Sequence, residues 1–233
     1  YDAAERRQQA RHVKPIWIFS DDPFYEKSDW LEGLDITLFD PDGETADVFD
    51  AAKIPYRFTK NTDALRNVSD GLLVIGEGIS WKDYRSIPGT LTEVAAKGVP
   101  VLCLAPADGV IPLPGAADVE APRPRRVSLR GSDVIRELDK RLDAEAWPPQ
   151  GEVIRSGLAI GAERGRVVAE ACRSQGAWPW VAVDYPDPGG TLVVCGFGII
   201  EHWAAGPTPR FLLARIFERL DPHSQSQQPP TPT

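Results

Sequence analysis

Residues 71–109, with the sequence GLLVIGEGISWKDYRSIPGTLTEVAAKGVPVLCLAPADG, determine the predicted fold of this chain. Leu72–Ile75 and Val99–Leu104 are almost uninterrupted apolar runs, which are typical of strands covered on both faces in a parallel sheet. Between them, Thr90 is followed three residues later by a glutamate, as in a helix capping box, and Gly98 fits the residue after a helix. The stretch therefore predicts a right-handed β-α-β unit in an α/β domain.

The same unit indicates where a binding site should lie. Ligands of such sheets bind beyond the carboxyl ends of the strands. Here those ends lead into Gly-Glu-Gly at 76–78 and Ala-Pro-Ala-Asp-Gly at 105–109. We therefore expect Glu77, Pro106 and Asp108 to border any binding cleft.

The N-terminal flank continues the alternation of strands and helices. Pro15–Ser20 predicts the first strand, Phe24–Leu34 a covering helix and Asp35–Asp40 the second strand. Asp21 and Asp22 follow the first predicted strand, so we expect both of them at the same carboxyl edge. The order strand, helix, strand predicts a doubly wound, mostly parallel sheet in three layers.

The segments on either side of the central unit are shorter or less regular. We expect a helix capped by Thr45, a short strand at Ile54–Phe58 and a helical turn at Thr62–Asn67. Ala105–Arg130 is rich in proline and glycine and predicts a long irregular connection, after which a helix begins at Ser132.

The last third of the chain predicts an antiparallel extension and a return to the main sheet. Thr208 as N-cap and Pro209 at the first helical position predict a final helix. The tail beyond Asp221 is polar and proline-rich, which predicts disorder. The strand candidates, separated by glycine and proline turns, are Val153–Ile160, Val167–Cys172, Trp180–Tyr185 and Thr191–Phe197.

Composition indicates one ordinary globular domain. Of the 233 residues, 42% are apolar and 26% are charged, and we expect a lead-in at 1–14, one domain at 15–221 and a tail at 222–233. The net charge of −8 argues against binding to nucleic acid or to an anionic membrane surface. No apolar run approaches the roughly 18 residues of a membrane span.

The cysteines predict neither a disulfide framework nor a metal site. Cys103, Cys172 and Cys195 all lie in apolar strand contexts without metal-ligand spacing, so we expect no metal and no cofactor. The chain begins at Tyr1 and contains no methionine, so we expect a processed product. It would be secreted or periplasmic if a signal peptide has been removed, and cytoplasmic otherwise.

The order of elements from Pro15 to Leu220 resembles the class I glutamine amidotransferase-like fold, a flavodoxin-like family that includes the ThuA-like and PfpI-like groups. GVPVLCLAPADG at 98–109 resembles the strand and turn that carry the family's nucleophilic cysteine. LVVCGFGIIEHW at 192–203 resembles the segment that carries its catalytic histidine and glutamate. The resemblance implies catalytic roles for Cys103, His202 and Glu201, with Trp203 beside the cleft.

The family's catalytic motifs are only partly present. The family places its cysteine on the sharp turn after the strand, and in this chain that position falls nearer Ala105 or Pro106 than Cys103. Proline has no backbone N–H to donate to an oxyanion hole. Ile200 stands where the family's histidine is expected, although another alignment register brings His202 close to Cys103. The resemblance therefore implies a degenerate site that has lost amidotransferase chemistry.

Three functional hypotheses stay open. The first is a binding or assembly domain without catalysis, whose partners would be a carbohydrate or small molecule, other domains, or a second copy of the chain. It draws on the resemblance, because the ThuA-like branch is associated with sugar metabolism. Aromatic side chains that could stack on a ligand are Trp81, Tyr84, Trp178, Trp180 and Trp203.

The second hypothesis is a hydrolase that uses Cys103 with His202, or else a cluster of carboxylates that serve as acid and base or hold a divalent metal ion, although no two of them have a diagnostic metal spacing. The third is a flavin or nucleotide binder, but Gly76-Glu77-Gly78 lacks the third glycine of a dinucleotide fingerprint. The carboxylates expected at the carboxyl edge are Asp21, Asp22, Glu77, Asp108 and Glu201.

Overall fold

The computed structural model describes residues 18, 20, 22–113, 122–128, 158–163, 166–171 and 180–225. In chain order the helices and strands are α1 (Ser28–Gly33), β1 (Ile36–Phe39), α2 (Glu44–Ala51), β2 (Arg57–Thr59), α3 (Thr62–Leu65), β3 (Leu72–Ile75), α4 (Ile87–Ala96), β4 (Val101–Leu104), β5 (Gly109–Leu113), β6 (Arg126–Ser128), β7 (Leu158–Glu163), β8 (Arg166–Ala171), β9 (Trp180–Asp184), β10 (Thr191–Cys195), α5 (Pro207–Leu220) and α6 (Pro222–Gln225).

Within the described residues, the strands form a mostly parallel sheet with the order β2-β1-β3-β4-β10-β9-β6. The pairs from β2 to β10 are parallel, whereas β9 and β6 are antiparallel to their neighbours. A second, antiparallel sheet has the order β5-β8-β7. The prediction of an α/β domain with a mostly parallel sheet and antiparallel strands toward the C-terminus is confirmed.

The central strands are buried because they are apolar on both faces. Every residue of β1, β3 and β4 is buried. Successive side chains of β3 enter different hydrophobic clusters, with Leu72 and Val74 in one and Leu73 and Ile75 in the other. We call the first the α5 core, because it contains Phe217 of α5, and the second the α4 core, because it contains Leu91 of α4.

The β-α-β unit forms as predicted, but its helix begins earlier. α4 starts at Ile87 with a proline in its first turn, a position where the missing N–H costs nothing. Thr90 therefore lies inside the helix and is 2% exposed, rather than capping it. Gly98 follows the helix with a φ of +109°, as expected of a residue that ends one.

The predicted first strand is wrong where it can be compared with the structure. Ile18 and Ser20 are not in a strand, and the Ile18 side chain is 95% exposed; the rest of Pro15–Ser20, apart from these two residues, lies outside the described residues. Apolarity alone does not form a strand: β1 is flanked by β2 and β3, and the exposed Ile18 side chain gains no burial from the sheet. Asp22 consequently follows a coil, and Asp21 lies outside the described residues.

Several boundaries and one region also differ from the predictions. α2 begins at Glu44, so Thr45 lies within it, and α5 begins at Pro207, so Thr208 is not its cap. Ala105–Arg130 contains β5 and β6 and is not wholly irregular. The tail begins with helix α6 rather than coil. The helix predicted from Ser132 lies outside the described residues.

Candidate functional site

The strand order brings four chain segments side by side at one edge of the sheet, which we call the carboxyl edge. It consists of the segments that follow β1, β3, β4 and β10, and it includes Asp40, Glu77, Ala105 and residues 196–206. β3 and β4 are neighbours between β1 and β10, so the segments after them lie at the middle of the edge. This is the region where open α/β sheets bind ligands.

Ala105 is the residue at the sharp turn after β4. Ala105 has a φ of +23°, a conformation that costs energy for a residue with a side chain. Its N–H donates to the Cys195 carbonyl at 2.7 Å, and its carbonyl accepts from the Gly78 N–H at 3.0 Å. Ala105 is 1% exposed and Pro106 is also buried. These hydrogen bonds, to β10 on one side and to the segment after β3 on the other, hold the strained turn in place.

Cys103 lies two residues before this turn, inside β4 and fully buried in the α4 core. Burial raises the pKa of its thiol well above the ordinary value, and Cys195 adds to the effect. The Trp81 indole opposes the shift, although its Nε1–H has no hydrogen-bond partner among the described residues. The thiol is therefore held in its protonated form, which is the poorer nucleophile.

His202 lies beyond β10, in the segment that packs on the other face of the sheet. Ile199 and Ile200, which precede it, belong to the α5 core, whereas Cys103 belongs to the α4 core. The His202 side chain is 18% exposed, and its Nε2 lies 3.7 Å from Oε2 of Glu201. The structure thus brings His202 next to Glu201, and a catalytic role for either residue stays a prediction.

Among the described residues, Glu77 is the most buried of the carboxylates predicted for the edge, at 6% exposure. Its Oε2 accepts from the Ile200 N–H at 2.7 Å, and its Oε1 accepts from the Glu201 N–H at 3.1 Å. Its own N–H donates to the Thr45 hydroxyl at 2.9 Å. Glu77 therefore spans the edge from β3 to the segment after β10 and satisfies two main-chain donors there.

Asp108 stabilises a different turn, the one that contains Ser80 and Lys82. Its Oδ1 accepts from the Ser80 hydroxyl and from the Lys82 N–H, both at 3.0 Å. Partial burial opposes ionisation, but these hydrogen bonds and the nearby Lys82 ammonium outweigh it and lower the pKa of Asp108. Asp22 similarly accepts from the Phe24 N–H at 2.8 Å. Each of these carboxylates binds main-chain donors.

No metal centre is formed by the part of the chain that the structure describes. Within those residues, no group of three or more histidine, cysteine, aspartate or glutamate side chains is placed to hold a metal ion. Of the aromatic residues predicted to stack on a ligand, Trp81 and Trp180 are buried and Trp178 lies outside the described residues. Trp203 is half-buried at the edge, beneath the Arg210 guanidinium at 6.0 Å from its ring.

Asp40 is an edge residue that sequence reasoning missed. It directly follows β1 and is fully buried; its Oδ2 accepts from the Ala46 N–H at 2.8 Å, whereas Oδ1 has no hydrogen-bond partner among the described residues. It packs closely against Gly76, where an added Cβ would lie 2.8 Å from Oδ1. The order β2-β1-β3 makes this the point where the winding of the sheet reverses. An aspartate directly after an apolar run is the available signal, but the sequence predicts Asp40 as the last residue of the second strand and not as a site residue.

A cavity of about 340 Å³ lies at the opposite edge of the sheet, before β1, β3 and β4. Asp35 and Asp70 line it, and both carboxylates face the Arg57 guanidinium, at 2.8 and 3.7 Å. The His223 ring closes one side, with Nε2 at 3.2 Å from the Gly33 carbonyl oxygen. None of the residues predicted for the site lines this cavity.

Comparisons with protein-family models, with curated proteins and with solved structures find no match to this chain. The family resemblance therefore stays a hypothesis based on the sequence. Among the described residues, no helix is long and apolar enough to cross a membrane.

Proposed function

We propose that this chain is a non-catalytic domain of the glutamine amidotransferase-like kind that binds a ligand or a partner at its carboxyl edge. The observation that carries the proposal is Ala105. In the resembling family the strained turn after this strand holds the nucleophilic cysteine, and here a residue with a φ of +23° at that turn has only a methyl side chain. The thiols of Cys103, two residues earlier, and of Cys195, on the adjacent strand, are both fully buried.

The strand order supports the fold that this proposal requires. The parallel strands β2-β1-β3-β4-β10 follow the order 2-1-3-4-5 when the fifth parallel strand is counted in sequence. This is the order of flavodoxin-like sheets. Residues of α2 and α5 lie in one core and residues of α4 in the other, which supports the proposed arrangement in three layers.

The hydrogen bonds of the carboxylates at the edge disfavour hydrolysis, and an aromatic ring there favours binding. Glu77 and Asp108 both accept hydrogen bonds from main-chain N–H groups, which favours a structural role over proton transfer. Trp203, in the segment after β10, offers a half-buried ring that packs against the α5 core. The ligand class that the family resemblance suggests is a carbohydrate or another small polar molecule, on which such a ring could stack.

The proposal is tested by two assays on the purified chain. The first measures glutamine hydrolysis and ester hydrolysis by the unmodified protein, Cys103→Ala and His202→Ala, and no turnover above the variants is expected. The second measures thermal stabilisation by a panel of mono- and disaccharides, which Trp203→Ala should abolish. Tyr25→Ala is the matched control, because Tyr25 is 70% exposed and lies outside the carboxyl edge.

A hydrolytic activity that disappears in folded Cys103→Ala would overturn the proposal and make the thiol hydrolase the better hypothesis. Stabilisation that Trp203→Ala leaves unchanged would exclude the carboxyl edge as the binding surface.

A further inference from the structure

The strand β2 forms one lateral edge of the main sheet in the part of the chain that the structure describes. Its described neighbour is β1, with which it pairs in parallel. Arg57 and Phe58 are exposed, and Thr59 is half-buried. The outer side of an edge strand presents unpaired main-chain N–H and C=O groups, to which another strand can add. β2 therefore has room for one further strand.

Phe58 makes this edge apolar on one face of the sheet. It is 47% exposed, and it pairs with Leu38 of β1, which belongs to the α5 core, so its side chain lies on that face. The Tyr56 ring packs edge-on against it, with ring centroids 6.4 Å apart. The Lys60 ammonium lies over the ring at 5.6 Å from its centroid. These contacts support the ring, yet nearly half of the residue stays in water.

The sequence Tyr-Arg-Phe-Thr-Lys at 56–60 is complementary to itself when two copies meet in antiparallel orientation. A two-fold axis at Phe58 places the two Phe58 rings opposite each other, Arg57 opposite Thr59, and Tyr56 opposite Lys60. Opposed aromatic rings stabilise a strand pair, and an ammonium is attracted to an aromatic face. In this register no two like charges stand opposite each other. An axis at Arg57 would instead oppose two guanidinium groups.

The flank of this edge is acidic at the point where a second copy brings a cation. The Tyr56 hydroxyl donates to Oδ1 of Asp50, in α2, at 2.9 Å. Burial raises the pKa of Tyr56 to about 12, and the hydrogen bond to Asp50 and the charges of Asp50, Asp40 and Asp47 add to the shift. The Lys60 ammonium of a second copy, placed opposite Tyr56, therefore approaches a group of carboxylates.

We propose that β2 is a dimerisation edge, at which two copies of this chain join their main sheets by antiparallel pairing about a two-fold axis at Phe58. The pairing strand is only three residues long, so the contact buries little area. We therefore expect a weak dimer, with a dissociation constant on the order of 10–100 µM. The inference is independent of the ligand proposed for the carboxyl edge.

The first test is analytical ultracentrifugation of the unmodified protein. Between about 5 and 500 µM, a range that brackets the expected constant, its average mass should rise from that of one chain toward that of two. Phe58→Glu and Phe58→Lys remove the aromatic pair and place like charges opposite each other. Each variant should therefore raise the dissociation constant at least about tenfold.

The second test mixes the two variants in equal amounts. Association should return, because the glutamate of one chain then faces the lysine of the other, and only antiparallel pairing about position 58 brings these two side chains together. The matched control is the pair Tyr25→Glu and Tyr25→Lys, made at a position that is 70% exposed and lies outside β2. Neither control variant, alone or mixed, should change the association.

Four results would overturn the proposal. The unmodified protein could remain monomeric at the highest concentration, or the two Phe58 variants could associate as well as it does, which would assign the dimer to another surface. Association that is lost in the variants and does not return in their mixture would exclude this register. A monomeric protein that melts several degrees lower as Phe58→Glu would show that the chain itself covers the edge. Circular dichroism checks that both variants fold, as expected for an exposed position.

Discussion

The side chains of Cys103 and Cys195 point to opposite faces of the sheet, although the two residues are one register position apart on adjacent strands. Cys103 pairs with Val194, and Cys195 pairs with Leu104. Cys103 accordingly lies in the α4 core and Cys195 in the α5 core. The two thiols cannot form a disulfide without breaking the strand pairing, because the sheet separates them.

Both thiols should resist alkylation in the folded protein. Burial is the main cause of the raised pKa of each thiol, which reaches about 12 for Cys195, so neither forms appreciable thiolate near neutral pH. We expect iodoacetamide to label Cys103 and Cys195 at least about 100-fold more slowly than in denaturant. Peptide mapping by mass spectrometry separates them from Cys172. Rapid labelling of Cys103 in the folded state would contradict its burial.

Ala105→Gly should relieve backbone strain. Glycine adopts positive φ freely, but it also adds freedom to the unfolded chain, so we expect the free energy of unfolding to change by between about 0 and +1 kcal/mol. The matched control is Ala95→Gly inside α4, where the same change should lower it by about 1 kcal/mol. Denaturant titration measures both. A comparable loss at the two positions would mean that Ala105 is not strained.

Gly76→Ala should destabilise the point where β1 and β3 meet. An added Cβ would lie 2.8 Å from Asp40 Oδ1 and 3.0 Å from the Thr45 hydroxyl oxygen, and both neighbours are fully buried. We expect the free energy of unfolding to fall by about 1–3 kcal/mol, as for other overpacked cores. Gly89→Ala is the control, because nothing lies within 4 Å of its added Cβ. Because Gly89 lies in α4 and alanine favours helix, Gly89→Ala should leave the free energy of unfolding unchanged or raise it by up to about 1 kcal/mol.

Asp108→Asn should reduce stability in a way that depends on pH. A carboxyl group whose pKa is lower in the folded state stabilises the fold above its unfolded-state pKa, and this contribution is lost as the pH falls through the folded-state value. The variant should therefore unfold a few degrees below the unmodified protein at neutral pH. The difference should shrink once the pH falls below the ordinary value of 3.8. Melting curves of both proteins across this pH range test the prediction. A difference in melting temperature that does not depend on pH would show that the variant loses packing and not a charged group.

The sequence predicted the central unit well because burial alone determines it. Leu72–Ile75 is apolar at every position, which is typical of a strand buried on both faces, and the glycines that bound it limit its length to that of a strand. PIWIFS at 15–20 gives the same signal, yet Ile18 lies exposed in a coil. Local apolarity identifies a segment that is able to form a strand; whether it does so depends on competition for a place in the sheet. The strand β5 was not predicted for a different reason: it contains Pro112, and a proline in the sequence argues against a strand.

The polar contacts of the edge could not be predicted in the same way. Glu77 was expected at a cleft, and it does lie at the carboxyl edge, but its partners are the N–H groups of Ile200 and Glu201. No spacing rule relates residues more than a hundred positions apart, and main-chain donors have no sequence signature. Asp40 was missed for a related reason, because its place at the reversal of the winding depends on the order of the strands.

The parallel pairing of β4 with β10 also has a consequence for how the chain folds. Residues 105–190 separate the two strands, so this central pair has a large sequence separation and closes slowly. During synthesis, β3 can pair with β4 long before Thr191–Cys195 has left the ribosome. Over that interval Val101–Leu104 is paired with β3 on one side only, and its open side is an edge with the apolar sequence VLCL, which is the kind of edge that recruits other chains. Aggregation during refolding should therefore begin at β4, and a chain truncated before residue 191 should be far less soluble than the whole.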